Sequence, residues 1–150
     1  MKVIKGDLIE LAKQRKFDVI VHGSNCFFVM GAGIAKQIKQ EFPEAYKADL
    51  ETKKGDRSKL GRYSRAYNKE YNLIIINAYT QYGYWGSSGK VNADYKAIKE
   101  VFDKIYKTHN DKRIGIPMIG AGLAGGDWNI IESIIDDINF NDITLVKYNK

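Results

Sequence analysis

The chain alternates short apolar runs with segments whose apolar residues recur every three or four positions, and this alternation constrains the fold more than any other feature. "FDVIVHG" at 17–23, "YNLIIINAY" at 71–79 and "ITLVKY" at 143–148 are short and rich in β-branched residues, so they read as buried strands. "KVIKGD" at the start and "RIGIPMIG" at 113–120 read as two more, and the alternating "GRYSRAYN" at 61–68 as an edge strand beside the central "YNLIIINAY". Between the strands, "DLIELAKQR" reads as a helix opened by Asp7, and "GIAKQIKQEF" sets Ile34, Ile38 and Phe42 on one helical face. Pro43 opens a second consecutive helix, "PEAYKADLETKKG", expected to stop at Gly55; "VNADYKAIKEVFDKIYK" and "WNIIESIIDDI" supply two later ones. A strand that is apolar on both faces needs helices on both sides. The order therefore predicts one domain over 1–150, a three-layer α/β/α sandwich around a mixed, largely parallel sheet.

Composition narrows the functional classes. With 44% hydrophobic and 12% aromatic residues and no low-complexity tract, the chain can fill a core. The charged start and the brevity of the longest apolar run argue against a signal peptide or membrane span, so a cytoplasmic, monomeric protein is expected. One cysteine, Cys26, and two histidines, His22 and His109, imply neither a disulfide nor a metal, and no cofactor. The formal charge of +6 favours anionic ligands without choosing among them, because scattered surface lysines account for most of it. Nucleic acid is disfavoured as a partner, since no basic cluster interleaved with aromatics stands out.

In open α/β sheets ligands bind beyond the carboxyl ends of the strands, where loops feed helix N-termini. Two glycine-rich stretches fall there: "NCFFVMGAGIAK" after the second strand and "IGAGLAGGDW" after "RIGIPMIG". Glycines let the backbone approach an anion, and a helix N-terminus points unpaired N–H groups at it. Two such loops suit two adjacent phosphates. The dinucleotide fingerprint fits poorly, because Lys36 occupies the place of its third glycine, and no G-K-[ST] follows either loop.

"KGDLIEL", "DVIVHGSNCFFVMGAGIAKQI" and "IPMIGAGLAGGDW" together resemble the macrodomain family, and "VHGSNC" with "GAGIA" and "YWGSSGK" resembles its ADP-ribose-1''-phosphate phosphatase branch, phage-encoded members included. The resemblance implies that ADP-ribose or a derivative is the ligand, possible ADP-ribosylated macromolecules being partners. It implies that Asp7 accepts from the adenine amine with the Leu8 backbone beside it, and that Asn25 holds the distal ribose. Gly31, Ala32, Gly33 and Ile34 would form one phosphate loop, and Gly120, Ala121, Gly122, Leu123 and Ala124 the other, with Tyr148 stacked on adenine.

The same resemblance makes His22 and Asp127 the catalytic candidates. His22 stands where relatives carry a histidine proposed as nucleophile or general acid, and Asp127 would orient water or a leaving group. From the residues alone, Asp7 and Asp127 read equally as helix caps, Asn25 as an Asx-turn residue and His22 as a structural histidine. Gln81 and Ala124 stand where a glutamate-specific branch has lysine and aspartate, which argues against a covalent lysine mechanism; Lys90 lies too far along to replace it. Cys26, Trp85 and Trp128 read as packing residues. The expectation is hydrolysis of ADP-ribose-1''-phosphate to ADP-ribose and phosphate, the alternatives being removal of ADP-ribose from modified targets or a non-catalytic reader.

Overall fold

The computed structural model describes residues 1–84, 92–122 and 124–148. Strand β1 (Lys2–Gly6) leads into α1 (Leu8–Lys13) and β2 (Val19–Ser24), followed by α2 (Gly33–Glu41) and α3 (Pro43–Leu50). Strands β3 (Tyr63–Asn68) and β4 (Leu73–Tyr79) precede the long α4 (Tyr95–His109), and β5 (Ile114–Ile116), α5 (Trp128–Asp136) and β6 (Ile143–Tyr148) complete the order. The strands form one sheet in the order β1-β6-β5-β2-β4-β3, parallel except for the antiparallel β3–β4 edge pair.

Alternation along the central strands divides the core in two. Val19 and Val21 of β2 and Ile76 of β4 pack with Ile98, Val101, Phe102 and Ile105 of α4 and Ile131 and Ile135 of α5. Ile20, Leu73 and Ile75 face the other way, toward Leu8 and Ala12 of α1, Ile38 of α2 and Ala45 of α3. Helices thus cover both faces, and the expected three-layer α/β/α sandwich with its mixed, largely parallel sheet is the observed fold. Among the described residues no helix is long and apolar enough to cross a membrane.

Several boundaries differ from those the sequence predicts. The helix opened by Pro43 ends at Leu50 instead of near Gly55, because Gly55 is drawn away: its N–H donates to the Cys26 carbonyl at 2.6 Å and its φ is +73°. Strand β5 is only three residues long, since Pro117 lacks the N–H that would continue the ladder. Helix α4 starts at Tyr95 because Asp94 caps it, accepting from the Ala97 N–H at 2.9 Å.

Candidate functional site

The parallel strands place both glycine-rich stretches at the same end of the sheet, after β2 and after β5. Against the first, and beside Pro117 and Met118 that lead into the second, lies a cavity of about 390 Å³, lined by residues that include Asp7, Leu8, Gly33, Ile34, Met118 and Tyr148 and none of Gly120, Ala121, Gly122 or Ala124. Five of the residues singled out from sequence therefore meet around one space, although they come from opposite ends of the chain. Pairing of β1 with β6, with Gly6 opposite Tyr148, is what brings Asp7 and Tyr148 together. Tyr148 is 64% exposed, a ring held at the cavity rim and not in the core.

Asp7 does two things at once. Its Oδ1 accepts from the Ile9 and Glu10 N–H groups at 3.0 and 3.1 Å, a standard N-cap, while Oδ2 takes no hydrogen bond from the described residues. The cap fixes the carboxylate, and the second oxygen remains available on the cavity wall.

Helix α2 begins differently from α1, α4 and α5, though like α3, whose N-cap Phe42 also makes no side-chain hydrogen bond. Asp7, Asp94 and Asp127 cap α1, α4 and α5 with carboxylates, whereas the N-cap of α2 is Ala32, which has no side-chain hydrogen bond, and the first turn holds no acid. Its first N–H groups are left without intrahelical partners, beside a positive dipole end. A Cβ added at Gly31 or Gly33 would meet nothing within 4 Å, and Gly33 has φ +59°, so the backbone there is both bare and turned in a way glycine favours. In the other loop, Gly122 is likewise open, while Gly120 (φ +76°) faces inward, where a Cβ would come 3.1 Å from Ile131. The Ala121 N–H closes a turn onto the Met118 carbonyl at 3.2 Å, and the Ala124 carbonyl accepts from Asn92 and Ala93. Leu123, Trp85 and Lys90 lie outside the described residues.

Asn25 serves its own loop. Its Oδ1 accepts from the Phe27 and Val29 N–H groups at 2.9 and 3.3 Å and its Nδ2 donates to the Val29 carbonyl at 2.8 Å. This is the Asx-turn arrangement, and it holds the stretch leading to Gly31 in shape.

The two catalytic candidates are not brought to the cavity. His22 is fully buried on the face of β2 that packs toward α3, and Nε2–H donates to Asn77 Oδ1 at 2.6 Å. That direction follows from Asn77, whose Nδ2 is committed to Ala45 O and Ser64 Oγ, so its Oδ1 must accept. His22 Nδ1 has no partner among the described residues. Burial pushes the imidazole pKa down to about 4, outweighing the opposing hydrogen bond to Asn77, so the ring is neutral near pH 7. Asp127 is the exposed N-cap of α5, with Oδ1 accepting from the Asn129 N–H at 2.9 Å. Cys26 is buried too, and burial raises its thiol pKa, which opposes a reactive thiolate. Among the described residues no group of three or more His, Cys, Asp or Glu side chains is placed to hold a metal ion.

Sequence reasoning missed Gln37, Met118 and Val146 on the cavity wall. Gln37 had a readable signal, standing one helical turn after Gly33. Met118 carried none, since only the chain reversal after Pro117 leaves it 40% exposed at the rim.

A family model described as Macro domain matches residues 21–135. The chain is 37% identical over 143 residues to an uncharacterized 17.5 kDa protein of Enterobacteria phage T4, covering 91% of this chain and 88% of that protein. It is 24% identical over 140 residues to a DNA ADP-ribosyl glycohydrolase of Thermus aquaticus, covering 91% of this chain but only 37% of that longer protein. Among solved structures, Thermosipho africanus DarTG in complex with ADP-ribose superposes with a TM-score of 0.74 at 17% identity, over 97% of this chain and 40% of that one.

Proposed function

Because the chain belongs to the Macro domain family, we propose that it binds ADP-ribose across the two glycine-rich loops and hydrolyses a bond at the distal ribose. The observation that carries the binding is the uncapped start of α2, with its bare glycines, opening beside a cavity whose far wall is Asp7. In this reading Asp7 Oδ2 accepts from the adenine amine, Leu8 and Tyr148 bound the base, and the amides of Gly31–Ile34 and of Gly120, Gly122 and Ala124 hold the diphosphate, the Ala121 amide being used in its own turn. Asn25 shapes the floor beneath the distal ribose. The complex of the Thermosipho protein with ADP-ribose supports the ligand, and the activity named for the Thermus relative supports hydrolysis.

The substrate assigned first is ADP-ribose-1''-phosphate, cleaved by water to ADP-ribose and phosphate. Neither His22 nor Asp127 transfers a proton in this scheme, since neither lines the cavity: the first is fully buried, and the second is exposed at the start of α5. Rate enhancement then comes from loop amides that hold the substrate and stabilise charge on the departing group.

Calorimetry with ADP-ribose and AMP, and phosphate release from ADP-ribose-1''-phosphate, test the two halves. ADP-ribose should bind much more tightly than AMP, and Gly33→Glu should abolish binding and turnover while staying folded. Gly33→Ala controls for the strain of a side chain at φ +59°, about 1–2 kcal/mol. Equal affinity for AMP, or binding retained by folded Gly33→Glu, would sink the proposal; absent phosphate release with intact binding would reduce it to a reader.

A further inference from the structure

Two features at the first glycine-rich loop run against ordinary packing, and they touch each other. Phe28, shortly before Gly31, has φ +66°, a left-handed conformation in which a bulky side chain is strained. Lys59, at the end of the short 3-10 turn Arg57–Lys59, is a lysine only 7% exposed. Its Nζ lies over the Phe28 ring, 4.7 Å from the centroid.

The cation is mounted on the sheet. Lys59 Nζ is 5.0 Å from the centroid of the Tyr79 ring of β4, and it donates to Thr52 Oγ1 at 2.9 Å, its one hydrogen bond among the described residues. Thr52 Oγ1 in turn donates to the Asp49 carbonyl at 2.6 Å, and Tyr79 Oη donates to Asp49 Oδ1 at 2.7 Å. Asp49 is itself only 1% exposed; burial pushes its carboxyl pKa up, against the Tyr79 hydrogen bond and the charge of Lys59. A chain of contacts thus runs from β4 through a buried cation to the loop.

Backbone bonds fix the loop on either side of Phe28. Asn25 Oδ1 accepts from the Phe27 and Val29 N–H groups, and the Cys26 carbonyl accepts from the Gly55 N–H. At Phe28 a cation removed from water and set against the ring face offsets the strain of the turn. Methionine at 59 would fill the same length without burying a charge, and glycine at 28 would relieve the turn. Both costs fall at one point, and local rules are broken most often where a site needs a fixed shape.

Resting on the function proposed above, we infer that Lys59 is a positioning residue for the first loop: through the Phe28 ring it holds the turn that presents the Gly31–Ile34 amides to the ligand. Without the cation the turn relaxes into several forms, and affinity falls by the fraction of time that the competent one is populated.

The test reads amide hydrogen exchange without ligand and ADP-ribose affinity by calorimetry, both on the full chain. Phe28→Leu leaves the buried charges in place, and Lys59→Met combined with Asp49→Asn removes the cation without stranding the carboxylate. Each should quicken exchange at the Phe27 and Val29 amides while β2 and β4 keep their protection, and each should weaken ADP-ribose about tenfold, as for a loop competent about a tenth of the time. Phe28→Tyr restores the ring and should rescue both readouts. Because Lys59 acts through Phe28, all three substitutions together should weaken binding no further than either set alone. Unchanged loop exchange, exchange quickened equally throughout the sheet, no rescue by Phe28→Tyr, or additive losses in affinity would each overturn the inference. Failure of the unaltered chain to bind ADP-ribose would instead overturn the function on which it rests, and the exchange measurement would still judge the contact.

Discussion

At the scale of single residues, one carboxylate and one imidazole illustrate how burial and hydrogen bonding assign roles. Asp7 divides its oxygens between a cap and the cavity, so two substitutions should separate its functions. Asn caps as well as Asp, so Asp7→Asn should leave stability within a few tenths of a kcal/mol while weakening ADP-ribose by about 1.5–3 kcal/mol, the scale of a hydrogen bond to a charged group. Asp7→Ala should lose both, adding about 1 kcal/mol of instability; calorimetry and urea unfolding read the two effects. His22 makes a different forecast. Its folded pKa of about 4 lies below the ordinary value of 6.5, so the unfolded chain takes up the proton first and the native state loses stability as pH falls between those values. The loss reaches about 3 kcal/mol at full effect. His22→Gln, which cannot titrate, should flatten the stability profile between pH 6.5 and 4 relative to wild type, measured by urea midpoints. Identical profiles would mean that the ring is not sealed as described.

Strands and loops carry the next set of consequences. Gly115 sits in the short β5, and a Cβ there would come 2.7–2.9 Å from the Phe17 ring, which cannot retreat because it is itself buried. Gly115→Ala should therefore cost about 1–3 kcal/mol through overpacking. Gly6→Ala on the edge strand, where the nearest atom is a Leu11 methyl at 3.4 Å, should cost far less. A similar loss in both variants, by chemical denaturation, would point to backbone entropy as the cause. The same close fit explains why element boundaries moved while element types held. Periodicity announced a helix after Pro43 and another before His109. Their ends were decided by the Gly55–Cys26 bond and by the Asp94 cap, neither of which periodicity encodes.

For the molecule as a whole, the proposed adenine-side and phosphate-side contacts would come from both termini and from two internal loops, so ligand binding should stabilise the entire domain. At a free concentration of 100 times Kd, ADP-ribose should add about 2.7 kcal/mol, a rise in Tm of roughly 5–10 °C for a domain of this size. AMP at the same concentration should add much less, and an equal rise would mean that only the adenine side is used. What the sequence determined by itself is what local chemistry can carry. Runs of β-branched residues and three-to-four spacing set the order of strands and helices, hence the three layers, and glycines before α2 and before α5 marked the two loops proposed to hold phosphates. The resemblance of those loops to a family pointed to the ligand. Only the tertiary structure decided that His22 is neutral and enclosed, because strand alternation tells which face a side chain takes but not that α3 and Asn77 close over it. It also decided that Asp7 is cap and cavity wall together, and it set Lys59 against the rings of Phe28 and Tyr79, which no local pattern connects. Such an arrangement is made by packing between segments distant in the chain, and its physical identity exists only once the sheet has brought them together.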